Sequence, residues 1–182
     1  MAAAMEHPVA MPAVAELEDI FRAHQTRVLK AAYRITGSLA DAEDVAQSVF
    51  LRLARGDFDR SRIGNLESYL YRAAINAALD IIRARRDWRD VPLENAEPLP
   101  SKSLPSPERA HTSVEIKESL RRALGRLHPR TAEMFVLRYL EDFDNREIAR
   151  MLNTSQAVVA VTLHRTRARL RKDLRAFMRG GL

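Results

Sequence analysis

The chain has 182 residues, which is enough for one domain or two small ones. Hydrophobic residues make up 46% of it and aromatic residues 6%, and a mix rich in Ala, Leu and Val favours helices over sheets. The absence of cysteine excludes a disulfide scaffold, a cysteine-ligated zinc site and a thiol nucleophile, and fits the reducing cytoplasm. No apolar run approaches the ~20 residues that cross a bilayer, and residues 1–15 are typical of a loose tail rather than a signal peptide.

The positive charge of the chain is concentrated at its C-terminal end. The formal net charge is +6. Seven of the 30 basic residues but only one of the 24 acidic residues follow Asn153, so the last 29 residues carry the whole excess. A localised positive field indicates a polyanionic partner, either nucleic acid or a membrane surface, and a solvated basic face is the plainer alternative.

A proline-rich segment divides the chain. Five of the eight prolines, together with three serines, lie between Asp90 and Thr112. Because proline removes a backbone donor and disfavours helix in the residue before it, we expect a partly extended linker over residues 91–112. The sequence therefore predicts a disordered tail over 1–15, a first domain over 16–90 and a second domain over 113–178.

Helical periodicity begins the first domain. Apolar residues recur at three- and four-residue steps over residues 17–35 and again over 42–53. Gly37 is expected to follow the first helix in the left-handed conformation, and Ser38 to cap the second helix with Asp41 at its third position. The apolar face expected for the first helix consists of Leu17, Ile20, Phe21, Val28, Ala32 and Ile35.

A third helix follows a polar loop over residues 57–65. Asn65 is expected to cap this helix, and its arginine-rich end suits the negative pole of a helix dipole. We expect its apolar positions to be Leu66, Tyr69, Leu70, Ala73, Ala77, Leu79 and Ile81.

The second domain also has helical signals. Thr112 and Glu115 match a capping box, which predicts that a helix starts there. His128 precedes Pro129, which is expected at the first position of the next helix. The core of that helix is expected to come from Phe135, Val136, Tyr139 and Leu140.

The end of the second domain has a helix-turn-helix pattern. Asp144 and Glu147 form a box-like start for a short helix, and after a turn at Asn153 a long basic helix begins with Ser155 as its cap. Two helices separated by about three turn residues, the second of them basic, are typical of this DNA-binding motif. An ordinary corner of a helical bundle is the alternative. The residues expected to bury the crossing are Ile148, Ala149, Leu152, Val159 and Leu163.

Three segments carry a more specific signature. They are LADAEDVAQSVFLRL at residues 39–53, NLESYLYRAAINAALDIIRARR at residues 65–86, and the stretch from ALGRLHPR to LRKDL at residues 123–174. In this order and at this spacing they resemble the extracytoplasmic-function (ECF) family of bacterial RNA polymerase sigma factors. The resemblance covers residues 17–89 and 114–174. It implies an all-α protein with two small helical domains joined by the proline-rich linker, the second domain containing the helix-turn-helix.

The resemblance implies that the outer face of the second helix binds core RNA polymerase, at the clamp helices of its β′ subunit, and that the β flap is a further contact. Acidic groups on this face can form charge-assisted bonds with basic partner residues. An acid at a helix N-terminus is the alternative for Asp41. Ser48 stands where the family usually has an acidic residue. The implied contact residues are Asp41, Asp44, Gln47 and Arg52.

The third helix corresponds to the part of the family that melts the −10 promoter element. Single-stranded DNA requires a basic track and pockets for extruded bases. A local ion pair with Arg83 or Arg72 is the alternative for Asp80, and a core position is favoured for Tyr69. The implied −10 residues are Arg60, Arg62, Arg72, Asn76, Asp80, Arg83 and Arg86.

The last helix corresponds to the reader of the −35 element, and its outer face lies opposite the buried stripe. Ala160 and Thr162 are uncharged where the family often has Lys or Arg. Val161 indicates apolar contact with a thymine methyl group, so we expect a −35 specificity that depends on such methyls and on groove shape. The implied −35 residues are Ser155, Gln156, Ala160, Val161, His164, Arg165, Arg167 and Arg171.

The family has no catalytic chemistry of its own, and we expect no enzyme activity, metal or cofactor. The five histidines lack paired metal spacing, and no nucleophile–base pair or phosphate-binding glycine loop is found in the sequence. The expected partners are core RNA polymerase and promoter DNA, often with an anti-sigma factor, for a cytoplasmic protein that is monomeric when free and does not insert into membranes. The alternatives are a sigma mimic that titrates an anti-sigma factor, favoured by the uncharged Ala160 and Thr162, and a helix-turn-helix regulator of duplex operators.

Overall fold

The computed structural model describes residues 14–56, 65–90 and 108–180. All the regular elements in these ranges are α-helices, which confirms the all-α prediction. The helices are α1 (Val14–Thr36), α2 (Leu39–Arg55), α3 (Leu66–Asp90), α4 (Glu108–Gly125), α5 (Pro129–Tyr139), α6 (Asn145–Met151) and α7 (Gln156–Gly180). The chain divides into two compact units, Met1–Ala78 and Leu79–Leu182. Residues 1–13 and residues 91–107 of the predicted linker lie outside the described residues, so the tail and the linker stay predictions.

Local turn chemistry sets the α1–α2 hairpin of the first unit. Gly37 has a φ of 69°, a left-handed conformation that costs glycine little. The Ser38 hydroxyl accepts a hydrogen bond of 3.3 Å from the Asp41 N–H, as predicted for the N-cap of α2. The two helices then pack through small and β-branched side chains. The buried residues at this contact are Val28, Ala31, Ala32 and Ile35 of α1 and Ala42, Val45, Val49 and Leu53 of α2.

Helix α3 begins as predicted but buries a different stripe. The Asn65 side-chain oxygen accepts a 2.9 Å hydrogen bond from the Ser68 N–H. The buried residues are Leu70, Tyr71, Ala74, Ile75, Ala78, Leu79 and Ile82. The expected positions Leu66, Tyr69, Ala73, Ala77 and Ile81 are only half-buried, so that part of the prediction is wrong. The reason is that apolar residues almost encircle this alanine-rich helix, and a periodicity argument then accepts two stripes about 100° apart.

Tyr71 belongs to the observed stripe and has a cationic neighbour on α1. Its ring is buried, and the Arg27 guanidinium of α1 lies over it at 4.7 Å from the ring centroid. Arg27 also forms an ion pair with Glu67 in the first turn of α3. The tertiary cation–π contact therefore adds to the burial of Tyr71, whereas Tyr69 is half-buried.

Two expectations for the second unit also need correction. Helix α4 begins at Glu108, so the capping-box motif at Thr112 does not mark its start. A capping box is a two-residue signal and has no effect where four preceding residues already continue the helix. Tyr139 is 44% exposed rather than part of the core, because it lies at the end of α5 with its ring 4.6 Å from that of Phe135.

Candidate nucleic-acid interface

The helix-turn-helix is formed by α6 and α7. Asp144 caps α6 in a complete capping box, since its carboxylate accepts from the Glu147 N–H and the Glu147 carboxylate accepts from the Asp144 N–H, each at 2.7 Å. Asn153 takes a φ of 48° in the turn, and the Ser155 hydroxyl caps α7 by accepting from the Val158 N–H at 3.2 Å. These local predictions are confirmed. The predicted crossing residues Ile148, Ala149, Leu152, Val159 and Leu163 are all buried.

Two arginines of α5 fix this motif in place, and sequence reasoning missed both. The Arg130 guanidinium donates a 2.6 Å hydrogen bond to the carbonyl of Leu152, the C-cap residue of α6. Arg138 donates a 3.0 Å bond to the carbonyl of Phe143, just before α6. Both ends of α6 are thus tied to α5 by charge-assisted bonds. The Arg130 bond joins residues 22 positions apart, so no local sequence signal could have indicated it.

The outer face of α7 is exposed as the sequence predicted. Its buried side consists of Val159, Leu163, Thr166 and Leu170, with the Thr166 hydroxyl donating to the Thr162 carbonyl at 2.7 Å. All eight residues proposed for −35 contact are exposed: Ser155, Gln156, Ala160, Val161, His164, Arg165, Arg167 and Arg171. Val158 is also exposed, by 49%, and the sequence analysis did not single it out.

Charge and apolar surface separate along α7. From Gln156 to His164 the helix has no formally charged side chain, with histidine counted as neutral. From Arg165 onward six basic side chains are exposed, namely Arg165, Arg167, Arg169, Arg171, Lys172 and Arg175. At about 100° per residue these cations point around much of the helix, an arrangement that suits phosphates on both walls of a groove better than a flat anionic surface.

The candidate −10 residues of α3 form one ridge. Arg72, Asn76, Asp80 and Arg83 follow each other at three- and four-residue steps, which places them within about 80° of arc. Arg72 and Asn76 are half-buried and Asp80 is exposed. The Arg83 guanidinium donates a 2.6 Å hydrogen bond to Asp80 and its side chain is only 16% exposed, so the alternative of a local ion pair is present in this structure. Arg60 and Arg62 lie outside the described residues, as does the side chain of Arg86.

The first unit contains an apolar groove between α1 and α2. Its volume is about 780 Å³, and its apolar lining consists of Leu17, Phe21, Leu29, Ala46, Phe50, Leu51 and Ala54. The Phe21 ring meets that of Phe50 edge-on at 4.8 Å and is 42% exposed, while Leu51 is 45% exposed. Leu17 and Phe21 line this groove rather than the packed helix face expected from periodicity, because periodicity alone does not separate an inward stripe from an adjacent groove wall.

The four candidate core-polymerase residues divide between two flanks of α2. Gln47 lines the groove, whereas Asp41, Asp44 and Arg52 do not. Asp44, Gln47 and Arg52 are exposed and Asp41 is half-buried in the first turn of the helix, where its charge also complements the helix dipole. Sequence reasoning therefore found one flank and missed the apolar one.

The described residues contain no group of three or more acidic or histidine side chains suited to a metal ion. Within the same ranges, no helix combines the length and the apolar content needed to cross a bilayer.

Comparison with known proteins covers both units. The family model described as Sigma-70 region 2 matches residues 20–89, and that described as Sigma-70, region 4 matches residues 117–170. The chain is 30% identical over 172 residues to the ECF RNA polymerase sigma factor SigW of Bacillus subtilis, covering 90% of this chain and 89% of that protein. It is 32% identical over 158 residues to the ECF RNA polymerase sigma factor SigE of Mycolicibacterium smegmatis, covering 86% of this chain but only 61% of that protein. Among solved structures, the sigma factor RpoE of Bartonella quintana, crystallised with the anti-sigma factor NepR, matches with a TM-score of 0.48 and 19% identity over 89% of this chain and 98% of that one.

Proposed function

The chain belongs to the extracytoplasmic-function family of RNA polymerase sigma factors, and on that premise we propose how its residues bind core RNA polymerase, recognise promoter DNA and initiate transcription. One observation supports the proposal most. A helix-turn-helix presents an exposed α7 with six cations, in the same chain as a unit that matches Sigma-70 region 2. A duplex-operator regulator leaves that first unit unexplained.

We assign −35 recognition to the exposed face of α7. The N-terminal residues of a recognition helix reach base edges, and residues further along meet the backbone. Ser155, Gln156, Ala160, Val161 and His164 lie in the first three turns, where base contacts are made. The cations Arg165, Arg167 and Arg171 follow and bind phosphates, which sets the register of the helix on the duplex.

The −10 element is assigned to the ridge on α3. Arg72 and Asn76 contact the unpaired strand, and Arg86 with the loop residues Arg60 and Arg62 extends the basic track. Asp80 and Arg83 are retained as −10 residues with one condition, since their 2.6 Å ion pair must open before the guanidinium can reach a phosphate. The Asp80 carboxylate is exposed but the Arg83 side chain is only 16% exposed, so opening the pair also removes the guanidinium from its mostly buried position, and the contact with DNA must offset that cost.

Core polymerase binding is assigned to both flanks of α2. Asp41, Asp44 and Arg52 provide charged contacts for the β′ clamp helices, and Gln47 joins this flank to the α1–α2 groove. Phe21 and Leu51 each leave a large apolar side chain nearly half exposed at the groove, a feature typical of a surface that a partner covers. An amphipathic helix lying in such a groove would bury both side chains.

The remaining assignments follow from the family. We place the protein in the cytoplasm with the polymerase and assign it no catalytic group, because the phosphodiester chemistry belongs to the core enzyme. The proposed domain bounds are 16–90 and 113–178, with the linker between them. The β flap as a contact of the second domain, an anti-sigma factor as a further partner and a monomeric free state stay predictions.

The test is transcription in vitro with purified bacterial core RNA polymerase, this protein and a promoter library, followed by sequencing of the transcripts. We expect specific start sites with shared upstream motifs at −35 and −10. Core binding without any transcript would favour the sigma-mimic alternative, and no core binding would overturn the proposal.

A matched pair of variants tests the groove. Leu51→Glu places a charge in the groove lining and should weaken core binding at least tenfold. Leu39→Glu is the control, since Leu39 is a still more exposed leucine of the same helix and does not line the groove. Equal core affinity of the two variants would remove the groove from the interface.

A further inference from the structure

Two exposed valines lie at the start of α7, where the charge pattern does not explain them. Val158 and Val161 are 49% and 50% exposed. Residues three apart on a helix are surface neighbours, with about 5–6 Å between their Cβ atoms. The buried side of the helix is already complete without them, because Val159 and Leu163 fill the crossing with α6. The pair is therefore an apolar patch on the outer face of the helix.

The surface on the N-terminal side of the pair is small and uncharged, and the first cation of α7 lies one turn beyond it. Ala157, four residues before Val161, is exposed, as is Ala160, and Arg165, four residues after Val161, is the first formally charged residue of α7. Two alanine side chains allow another surface to approach the helix closely. Of the hydrogen-bonding side chains one turn away, the Ser155 hydroxyl already accepts from the Val158 N–H as the cap of α7, Thr162 is half-buried, and His164 is exposed.

The positive charge of α7 indicates that the partner covering the two valines is duplex DNA. Six exposed cations continue α7 beyond the pair, and they attract a polyanion rather than an apolar protein surface. In the major groove the apolar group is the 5-methyl of thymine, which valine and alanine side chains can contact. The rise of 1.5 Å per helical residue separates the two valines by about 4.5 Å along the axis, close to one base step of ~3.4 Å.

We propose that Val158 and Val161 together read the 5-methyl groups of thymines at one or two neighbouring positions of the −35 element. This inference rests on the proposed function and deepens it, because it gives the base-contacting part of α7 an apolar specificity and adds Val158 to the site. Discrimination between bases then comes from the methyl groups, and the arginines supply affinity that is independent of sequence.

The test replaces thymine by uracil, which removes the methyl group and leaves the base pair intact. The full-length protein is assembled with bacterial core RNA polymerase on a promoter taken from the library selection. Each −35 thymine, on either strand, is replaced in turn by deoxyuridine, and the affinity for the promoter is measured. We expect about fourfold weaker binding at one or two positions, the value for one buried methyl-sized group.

Variants connect this loss to the valines. The double variant Val158→Ala, Val161→Ala should discriminate between thymine and uracil promoters less than the wild type does, because each alanine keeps only the Cβ of the apolar contact. Val114→Ala should keep the wild-type discrimination. Val114 is a suitable control because it is an exposed valine of the same unit, 59% exposed and outside α7. The inference is overturned if the wild-type holoenzyme binds uracil and thymine equally at all −35 positions, or if the double variant discriminates as strongly as the wild type.

The failure of the inference can be distinguished from that of the proposed function. A holoenzyme that initiates at specific promoters without sensing the methyl groups refutes the valine pair alone. A protein that initiates at no promoter refutes both. If the valines instead contact a protein partner, the double variant loses that partner and keeps its thymine preference, which again counts against the inference.

Discussion

Two adjacent valines of α7 allow a test of the helix-turn-helix packing in which the chemistry of the substitution is held constant. Val159 has no exposed surface and lies in the crossing with α6, whereas Val158, about 100° around the helix from it, is 49% exposed. The substitutions Val159→Ala and Val158→Ala remove the same atoms from the same helix one residue apart. Any difference in stability between the two variants therefore reflects the different surroundings of the two side chains.

The magnitude follows from burial. Removing two fully buried methyl-sized groups costs about 1.6 kcal/mol in transfer free energy, and the cavity left beside Ile148 and Leu163 adds to this. In both variants the better helix propensity of alanine offsets about 0.5 kcal/mol of any loss in stability. We therefore expect Val159→Ala to lower the free energy of unfolding by about 2 kcal/mol. Val158→Ala should change the free energy of unfolding by less than about 0.5 kcal/mol, because the methyl groups it removes from a surface position are largely exposed to water already.

Urea denaturation followed by far-ultraviolet circular dichroism measures this difference. With a slope of about 1–3 kcal/mol per molar urea, the Val159→Ala midpoint should fall by roughly 0.7–2 M in the transition of the second unit. Equal midpoints for the two variants would refute the reasoning, since the two positions would then be equally buried. If Val159→Ala lowers the urea midpoint but leaves promoter binding unchanged, the packing of α7 against α6 does not determine how α7 is oriented on DNA.

Three further predictions concern the same unit. Asp144→Ala removes a complete capping box from a short helix and should lower the free energy of unfolding by about 1–2 kcal/mol in the same denaturation assay, and an unchanged midpoint would show that the box contributes nothing. Arg130→Met removes a charge-assisted bond to the C-cap of α6 and, because Arg130 is itself exposed, should cost about 1 kcal/mol by thermal unfolding, whereas Arg126→Met, at a similarly exposed arginine, should cost almost nothing, and equal losses would contradict the role of that bond. Arg167→Gln and Arg171→Gln should each lower the slope of log affinity against log salt concentration by about one in promoter-binding titrations, and an unchanged slope would mean that the residue contacts no phosphate.

The features that could be predicted from sequence depend on residues close together in the chain. The cap at Ser38, the capping box at Asp144 and the left-handed turn at Asn153 each involve partners within three or four positions. The helix-turn-helix could be predicted for the same reason, because its crossing is set by the spacing of a few apolar residues on two consecutive helices. Interactions between residues this close in the chain are compatible with few other local structures.

Features that depend on tertiary partners were missed or misplaced. The stripe of α3 was assigned wrongly because both candidate stripes are apolar, and the choice between them depends on tertiary packing, in which Tyr71 meets Arg27 of another helix. The groove was missed because Phe21 and Leu51 have the same hydrophobicity as core residues, and only the packing of α1 on α2 shows that they stay exposed. The Arg130 bond spans 22 residues and has no local signal at all.

The separation of charge along α7 has a consequence for how affinity and specificity depend on salt. Under the proposed −35 assignment, the cations from Arg165 onward release counterions when they bind phosphates, so the affinity for any duplex falls steeply as salt rises. The uncharged readers before Arg165 release none, and a methyl contact with Val161 depends on burial rather than on ionic strength. The ratio between the affinities for a correct and an altered −35 element should therefore stay nearly constant while both affinities fall. A helix that carried its cations at the reading positions would lose affinity and specificity together, so the uncharged Ala160 is consistent with a promoter reader in its own right and does not require the sigma-mimic interpretation.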